Sequence, residues 1–331
     1  MNTKILIIGS NSFSGSNFAD YLIKKKIKVI AISRSNEIKK IFLKYKNNKF
    51  QNNLVFKKID INKNLNKLVS IIKKEKPNII FNFAAQGMVA ESWLNPVDWY
   101  TTNFLSMTKL VEEIKNFKFI KKFIQFTTPE VYGDKNYILK ENFNFAPSTP
   151  YALSRASFDI HLKNLHSIYN FPVIFTRTSN VYGPHQQLYR VIPKFIISAK
   201  KNKSFFLDGM GKTRRSFIHI TDVNNALYKI LNKGKVGETY HISTNKFISL
   251  KELTNEIATL MNIKNKSFLK LSKNDRIGKD KSYLLNSKKI RNQLKWKDQI
   301  SLKNGLIDTI NWVDRNFGII KKLSLKYKHK K

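Results

Sequence analysis

The chain has 331 residues, 42% of them hydrophobic, which is enough mass and apolar content to bury a real core and argues against a disordered chain. No apolar run approaches the ~20 residues that a bilayer-spanning helix needs, and the absence of cysteine excludes disulfides and thiolate metal sites. Lys and Arg number 61 against 22 Asp and Glu, a net charge of +39 that could draw nucleic acid or an anionic membrane.

That excess is spread along the chain, as in Lys24-Lys25-Lys26, Lys39-Lys40, Lys200-Lys201 and the tail from Lys326 to Lys331. It accompanies abundant Asn, Ile and Phe, all residues of AT-rich codons, so a genome-wide bias is a sufficient cause. No nucleic-acid reader motif is present. Nucleic acid and membrane are therefore not the expected partners, and the cytoplasm is the expected location. A basic surface still favours a phosphorylated substrate.

The run Lys4-Ile5-Leu6-Ile7-Ile8 is too short for a signal peptide and leads into a Gly-bearing turn, so it reads as a first buried strand. Further strands are expected at 28–33, 54–59, 79–84, 122–126 and 173–177. All are β-branched-rich and continuously apolar, as strands covered on both faces are. Helix-spaced apolar residues fill 18–26, 65–74, 99–117 and 151–169 between them. Alternation of this kind predicts an α/β fold: a Rossmann-type doubly wound parallel sheet with right-handed crossovers. Beyond residue 180 the pattern loosens, with helices expected at 191–201, 221–231, 250–261 and 302–316 and short strands between. The expected organisation is a dinucleotide-binding domain over 1–180, completed by return segments from the C-terminal half. A smaller interleaved α/β substrate domain occupies 181–331.

Gly9-Ser-Asn-Ser-Phe-Ser-Gly15 follows the first strand and opens a helix. A turn that cradles phosphate needs small residues so that backbone N–H groups and a helix N-terminus can approach a pyrophosphate. Gly9, Ser12 and Gly15 occupy the glycine positions of a G-x-x-G-x-x-G fingerprint, with Ser12 replacing the middle glycine. The second strand ends in Ile32-Ser-Arg-Ser35, without the carboxylate that usually binds the adenosine ribose. Arg34 there suits the 2′-phosphate of NADP, with NAD the alternative; it could equally be a solvated loop charge. Asp60 closes the third strand and either binds adenine or caps the following helix. Asn82-Phe-Ala-Ala-Gln86 offers small residues at the end of the fourth strand.

Three later motifs stand in order: Thr127-Thr-Pro-Glu-Val-Tyr-Gly133, Pro147-Ser-Thr-Pro-Tyr-Ala-Leu-Ser-Arg155 and Arg177-Thr-Ser-Asn-Val-Tyr-Gly-Pro184. Thr128 and Glu130 fall just past the carboxyl end of the fifth expected strand, where open α/β sheets place ligands. Tyr151 follows Pro150 at a helix start, with Arg155 at i+4 on the same face, and both the helix terminus and that charge favour a phenolate. The same residue could instead simply pack a helix start. With Val191-Ile-Pro-Lys-Phe-Ile, Asp208-Gly-Met-Gly-Lys-Thr-Arg-Arg-Ser-Phe-Ile-His219 and Asp275-Arg-Ile-Gly-Lys-Asp280, these motifs resemble the extended short-chain dehydrogenase/reductase family. Within it they resemble the nucleotide-sugar 4,6-dehydratases of the GDP-mannose and dTDP-glucose types, from residue 4 to about residue 312.

The resemblance implies catalytic roles for Thr128, Glu130, Tyr151 and Arg155. Tyr151 would take the proton of the sugar 4-hydroxyl with Thr128 bonded to it, and Glu130 would remove the C5 proton. It implies a cofactor set of Gly9, Ser12, Phe13, Gly15, Arg34, Asp60, Ile61, Ala84 and Ala85, with Tyr151 and Arg155. Gln86 and Ser92 would line the sugar pocket, as in the GDP-mannose type, while Asn180, Arg190, Arg215 and Arg276 would hold the nucleotide diphosphate of the sugar. A homodimer through helices 99–117 and 151–169 is also implied. The six histidines show no metal-ligand spacing, and no metal is expected.

Two positions depart from the family pattern. Arg155 stands where the family has Lys, and a planar guanidinium does not reproduce an ammonium's contacts. Pro129 stands where dTDP-glucose enzymes carry the Asp that protonates the leaving hydroxyl, which leaves that acid open, with Glu130 or a water as candidates. Rival readings are an epimerase or a UDP-glucuronate decarboxylase on the same fold, and a non-catalytic or nucleic-acid-binding protein that keeps it.

Overall fold

The computed structural model describes residues 3–274, 278, 280 and 282–329. Seven parallel strands form the central sheet: β1 (Lys4–Ile8), β2 (Lys28–Ser33), β3 (Leu54–Lys58), β4 (Ile79–Asn82), β5 (Lys122–Thr127), β6 (Val173–Thr178) and β7 (Thr239–Ile242). Their order across the sheet is β7-β6-β5-β4-β1-β2-β3. The reversal between β1 and β4 opens a crevice beyond their carboxyl ends, the place where such sheets bind ligands. Six strands fall where the apolar runs predicted them. The seventh comes from the C-terminal half and pairs with β6, Thr239 opposite Phe175.

One face of the sheet is closed by α1 (Phe13–Lys24) and by helices Ile220–Lys233 and Lys288–Leu294, which pack with β1, β4 and Trp296 in one apolar cluster. The other face is closed by Leu65–Glu75, Ser106–Ile114 and Pro150–Tyr169. A third cluster joins Val191–Lys200, Leu250–Leu260 and Leu302–Arg315 around Phe195, Leu253 and Val313, away from the main sheet. It forms the second wall of the crevice.

Three expected boundaries shift, each for a local reason. β4 stops at Asn82 rather than Ala84, because the Asn82 carboxamide accepts a hydrogen bond from Ala84 N at 3.1 Å and turns the chain. The first helix starts at Phe13 rather than 18, since Ser12 caps it through Gly15 N at 3.1 Å. The single helix expected over 99–117 is broken into Pro96–Tyr100, a π-turn Thr101–Leu105 and Ser106–Ile114. The π-turn buries Asn103, whose carboxamide clamps Gln86 N and O at 2.7 and 3.0 Å and also reaches Ser154 Oγ at 3.0 Å. An inserted turn that re-aims one polar side chain is the usual function of such a bulge.

Candidate active site

A cavity of about 740 Å³ runs along the crevice from the β1–α1 turn to the third apolar cluster. All of the sequence-predicted site residues line it except Gly15, Ser92 and Arg276, and Arg276 lies outside the described residues.

At one end, Gly9 has φ +87°, and a Cβ there would meet Ala84 N at 2.5 Å. Gly15 sits so close beneath it that a Cβ would meet Gly9 O at 2.5 Å. The turn is thus compressed against β4 and the first turn of α1 opens onto the cavity at Phe13 and Ser14. Ser12 acts as helix cap, a role that explains serine in place of a central glycine. Ser33, Arg34 and Ser35 line the neighbouring wall, and Asn11 Nδ2 fastens that loop through Ser35 O at 3.3 Å and Asn36 O at 2.9 Å. Arg34 donates to Gln86 Oε1 at 3.4 Å. Gln86, expected in the sugar pocket, therefore sits on the Arg34 side of the cavity. Asp60 borders the cavity with Ile61 while its carboxylate accepts from Asn62 N at 3.0 Å, so the local turn occupies part of its capacity. This narrow, small-residue cradle ending at a helix N-terminus fits a dinucleotide.

The chemical centre lies midway. Thr128 ends β5 and caps the short turn Pro129–Tyr132, in which proline takes the first helical position. Thr128 Oγ1 donates to Glu130 Oε2 at 3.0 Å and lies close enough to Tyr151 to pull its phenol pKa down. Tyr151 is placed by helix Pro150–Tyr169, capped by Thr149 through Ala152 N at 3.1 Å. Ser92 is fully buried outside the cavity and accepts from Tyr151 N at 3.2 Å. It fixes the start of the helix that carries Tyr151 instead of lining the cavity.

Burial pushes the Glu130 carboxyl up, against the pull of Arg215 and Thr128. The Tyr151 phenol is also pushed up, by burial first and then by Glu130, with Arg155, Thr128 and Arg190 opposing. This corrects the expectation that the helix terminus and Arg155 alone set the phenol low: desolvation outweighs both. Arg155 itself is buried, and its guanidinium donates to Phe126 O and, at 3.3 Å, to Ala84 O. It ties the ends of β4 and β5 together, while its Nε has no partner among the described residues.

Next to Glu130 the cavity is also bordered by Asn180, Arg190 and Arg215. Arg215 is held by Asp280 O at 2.6 Å and by Arg214 O at 2.8 Å, and its guanidinium lies over the Tyr283 ring at 4.1 Å. Two groups were missed from the sequence. Tyr283 is buried, and its hydroxyl donates to Asn180 Oδ1 at 3.1 Å and approaches Glu130 Oε1 at 3.5 Å. Tyr283 follows the Asp275–Asp280 motif by a few residues, and that spacing was the available signal. The tail is the second: Tyr327 and Lys328 line the cavity, Tyr327 packs on Tyr189, and His329 pairs with Asp98 at 2.6 Å over the Trp99 ring. A basic tail carries no sequence signal for such docking. Among the described residues no group of acidic, histidine or cysteine side chains could hold a metal, and no helix is long and apolar enough to cross a membrane.

A doubly wound sheet, a glycine cradle at its switch point and a Thr/Tyr/Arg set past β5 define an extended short-chain dehydrogenase/reductase. The family model for GDP-mannose 4,6 dehydratase matches residues 6–309. The chain belongs to that family of nucleotide-sugar 4,6-dehydratases. Human dTDP-D-glucose 4,6-dehydratase is 36% identical over 255 residues, 75% of this chain and 71% of that protein. The dTDP-glucose 4,6-dehydratase of Haemophilus influenzae is 31% identical over 336 residues, 93% of this chain and 97% of that one. The crystal structure of dTDP-glucose 4,6-dehydratase from Bacillus anthracis in complex with NAD superposes with a TM-score of 0.86 at 31% identity, covering 98% of this chain and 100% of that one.

Proposed function

We propose that the protein converts a nucleotide-diphosphate hexose to its 4-keto-6-deoxy form, oxidising C4, eliminating water across C5 and C6, and reducing C6. The observation that carries this is Glu130, hydrogen-bonded to Thr128, standing beside Tyr151 inside one cavity. A C4 epimerase needs a base at the 4-hydroxyl alone, whereas a second carboxylate beside it suits removal of the C5 proton, acidified by the new ketone. Tyr151 as phenolate accepts the 4-hydroxyl proton, Thr128 holds that phenolate, and Glu130 accepts the proton from C5. Arg155 keeps a positive charge beside the phenol and locks the strand ends that carry both bases. Asn180, Arg190 and Arg215 supply the cationic and polar end for the diphosphate. When bound, the nicotinamide supplies hydride acceptance from C4, return to C6 and, oxidised, a positive charge near the phenol.

The cofactor reading is NADP, supported by Ser33, Arg34 and Ser35 on the cavity wall and by a β2 terminus without a carboxylate. Gly9, Ser12, Phe13, Ala84 and Ala85 would hold the pyrophosphate and ribose. Native mass spectrometry of the purified protein tests this: bound NADP supports it, bound NAD replaces it. Incubation with dTDP-glucose, UDP-glucose and GDP-mannose tests the reaction. A 4-keto-6-deoxy product from at least one supports the reading. No product from any, or carbon dioxide from UDP-glucuronate, overturns it.

A homodimer is part of the same reading. Leu153 and Ile160, two turns apart on helix Pro150–Tyr169, are exposed, as are Val97 on Pro96–Tyr100 and Leu105 at the end of the π-turn that follows. Light scattering should give twice the chain mass, and Leu153→Lys with Ile160→Lys should halve it; a monomeric parent protein refutes this.

A further inference from the structure

Elimination of water needs two proton carriers, a base at C5 and an acid at the C6 oxygen. Pro129, the neighbour of Glu130, has no proton to give. The C6 oxygen is two bonds from C5, so an acid serving it while Glu130 serves C5 has to lie beside the Glu130 carboxylate. Among the described residues two hydroxyls do so: Thr128 on Oε2 at 3.0 Å and Tyr283 near Oε1 at 3.5 Å. Thr128 is an aliphatic alcohol and a far weaker acid than a phenol. Tyr283 remains.

Several features place and charge-tune that phenol. Leu284 and Leu285 pair in parallel with Ile138 and Leu139, which fixes the backbone just after it. Its ring packs with Val131, Tyr132 and Ala156, the same cluster that seats the Glu130 turn. Burial pushes the Tyr283 phenol up, and the Arg215 guanidinium over the ring at 4.1 Å opposes this and favours the phenolate once the proton has gone. The phenol has one proton, and its shorter contact is with Asn180 Oδ1 at 3.1 Å. The longer approach to Glu130 is where a substrate oxygen can compete for that proton.

Building on the dehydratase reading, we propose that Tyr283 is the acid that protonates the departing 6-hydroxyl, the task Pro129 cannot perform. With the ketone at C4, the Glu130 carboxylate takes the C5 proton and the C5–H electron pair closes the C5–C6 double bond. The C6–O bond breaks, and its oxygen takes the Tyr283 proton and leaves as water. Glu130 gives its proton back to C5 as C6 is reduced. The proton that Tyr151 took from the 4-hydroxyl then passes by Thr128 and Glu130 to the Tyr283 phenolate. Tyr283, Glu130 and Thr128 are linked in the structure with Tyr151 next to Thr128, and over a turnover the proton removed from the 4-hydroxyl replaces the one lost to water.

The test compares the parent protein and Tyr283→Phe on dTDP-glucose and on dTDP-6-deoxy-6-fluoroglucose, with the matching UDP-glucose and GDP-mannose pairs run in parallel. Fluoride departs without protonation. Tyr283→Phe should lower kcat on the hydroxyl substrate by about 100-fold or more, yet release fluoride from the analogue within about threefold of the parent. Equal losses on both substrates, or no loss on either, in protein that melts like the parent overturn the proposal. Should the Phe variant fail to fold, 3-fluorotyrosine at position 283 keeps ring and hydroxyl. It should change kcat on the hydroxyl substrate while fluoride release stays within about threefold of the parent, and an equal change on both substrates, or none on either, overturns the proposal. A parent protein that turns over none of the pairs refutes the dehydratase reading itself, whereas a parent that turns over a pair with an unaffected Tyr283→Phe refutes only the assignment of the acid.

Discussion

Glu130→Gln should separate stability from chemistry. The carboxylate is buried with one oxygen bonded to Thr128 and the other near Tyr283. A carboxamide has the same shape; its oxygen accepts from Thr128, and its NH2 can donate to the Tyr283 hydroxyl, so no polar atom is orphaned. What disappears is a buried charge. Because burial raises the folded-state pKa of Glu130 above its ordinary 4.5, ionisation costs the folded protein stability at every pH above that ordinary value. Glu130→Gln should therefore raise stability at neutral pH by on the order of 1 kcal/mol, a rise of a few °C in Tm. The gain should vanish as pH falls below the ordinary carboxyl pKa, where Glu130 is protonated in both states. Elimination should fall by about 10²–10⁴-fold, the usual worth of a positioned proton carrier. Oxidation at C4 should survive, because Tyr151 and Thr128 are intact. Thermal unfolding across pH, together with single-turnover absorbance of the reduced nicotinamide, reads both effects. A variant that is less stable at neutral pH, or that still eliminates at the parent rate, refutes the reasoning.

Gly9→Ala should cost about 2–5 kcal/mol, from the positive φ and from a Cβ driven into the Ala84 backbone. It should also weaken dinucleotide binding by isothermal titration, because β1 and β4 have to part at the cradle. Arg155→Met removes the donors to Phe126 O and Ala84 O and the cation beside Tyr151. It should lower Tm and move the rising limb of kcat/KM to higher pH, since the phenolate loses support. Arg155→Lys should leave that limb near the parent position while losing one of the two carbonyl bonds, worth about 1–3 kcal/mol. Identical pH profiles for Met and Lys would contradict the assigned role of the charge.

Much of the fold was legible because its strands are short, continuous and apolar, a pattern that only burial on both faces explains. Thr128, Glu130 and Tyr151 were legible for a related reason, since each follows a strand end or a helix start where the fold opens a crevice. β7 was not, because Thr-Tyr-His-Ile alternates and its place beside β6 is a long-range pairing. Nor could the sequence announce that Ser92 would spend its hydroxyl on Tyr151 N, or that Arg155 would bond two backbone carbonyls. Those contacts depend on where chains 59 and 71 residues apart in sequence come together. Tyr283 was hidden in the same way, since the two-residue ladder that aims it into the cavity has no periodicity to read.

The charge of +39 carries a smaller functional load than its size suggests. Arg215 and Arg190 face the cavity, while ion pairs such as Lys46 with Glu37 and Lys200 with Asp314 cancel in the sum and leave the excess to the rest of the surface. Partly exposed pairs of this kind add about 0–1 kcal/mol each. A general basic surface concentrates phosphorylated ligands near the crevice without specifying one.

Joint work of Tyr151 and Glu130 on one sugar can be read by mass spectrometry of the nucleotide sugar after reaction. The expected result is a product lighter by one water from the parent protein, no conversion by Tyr151→Phe, and an oxidised, undehydrated sugar held by Glu130→Gln. A product of unchanged mass but inverted C4, formed equally well by the parent and by Glu130→Gln, would contradict it.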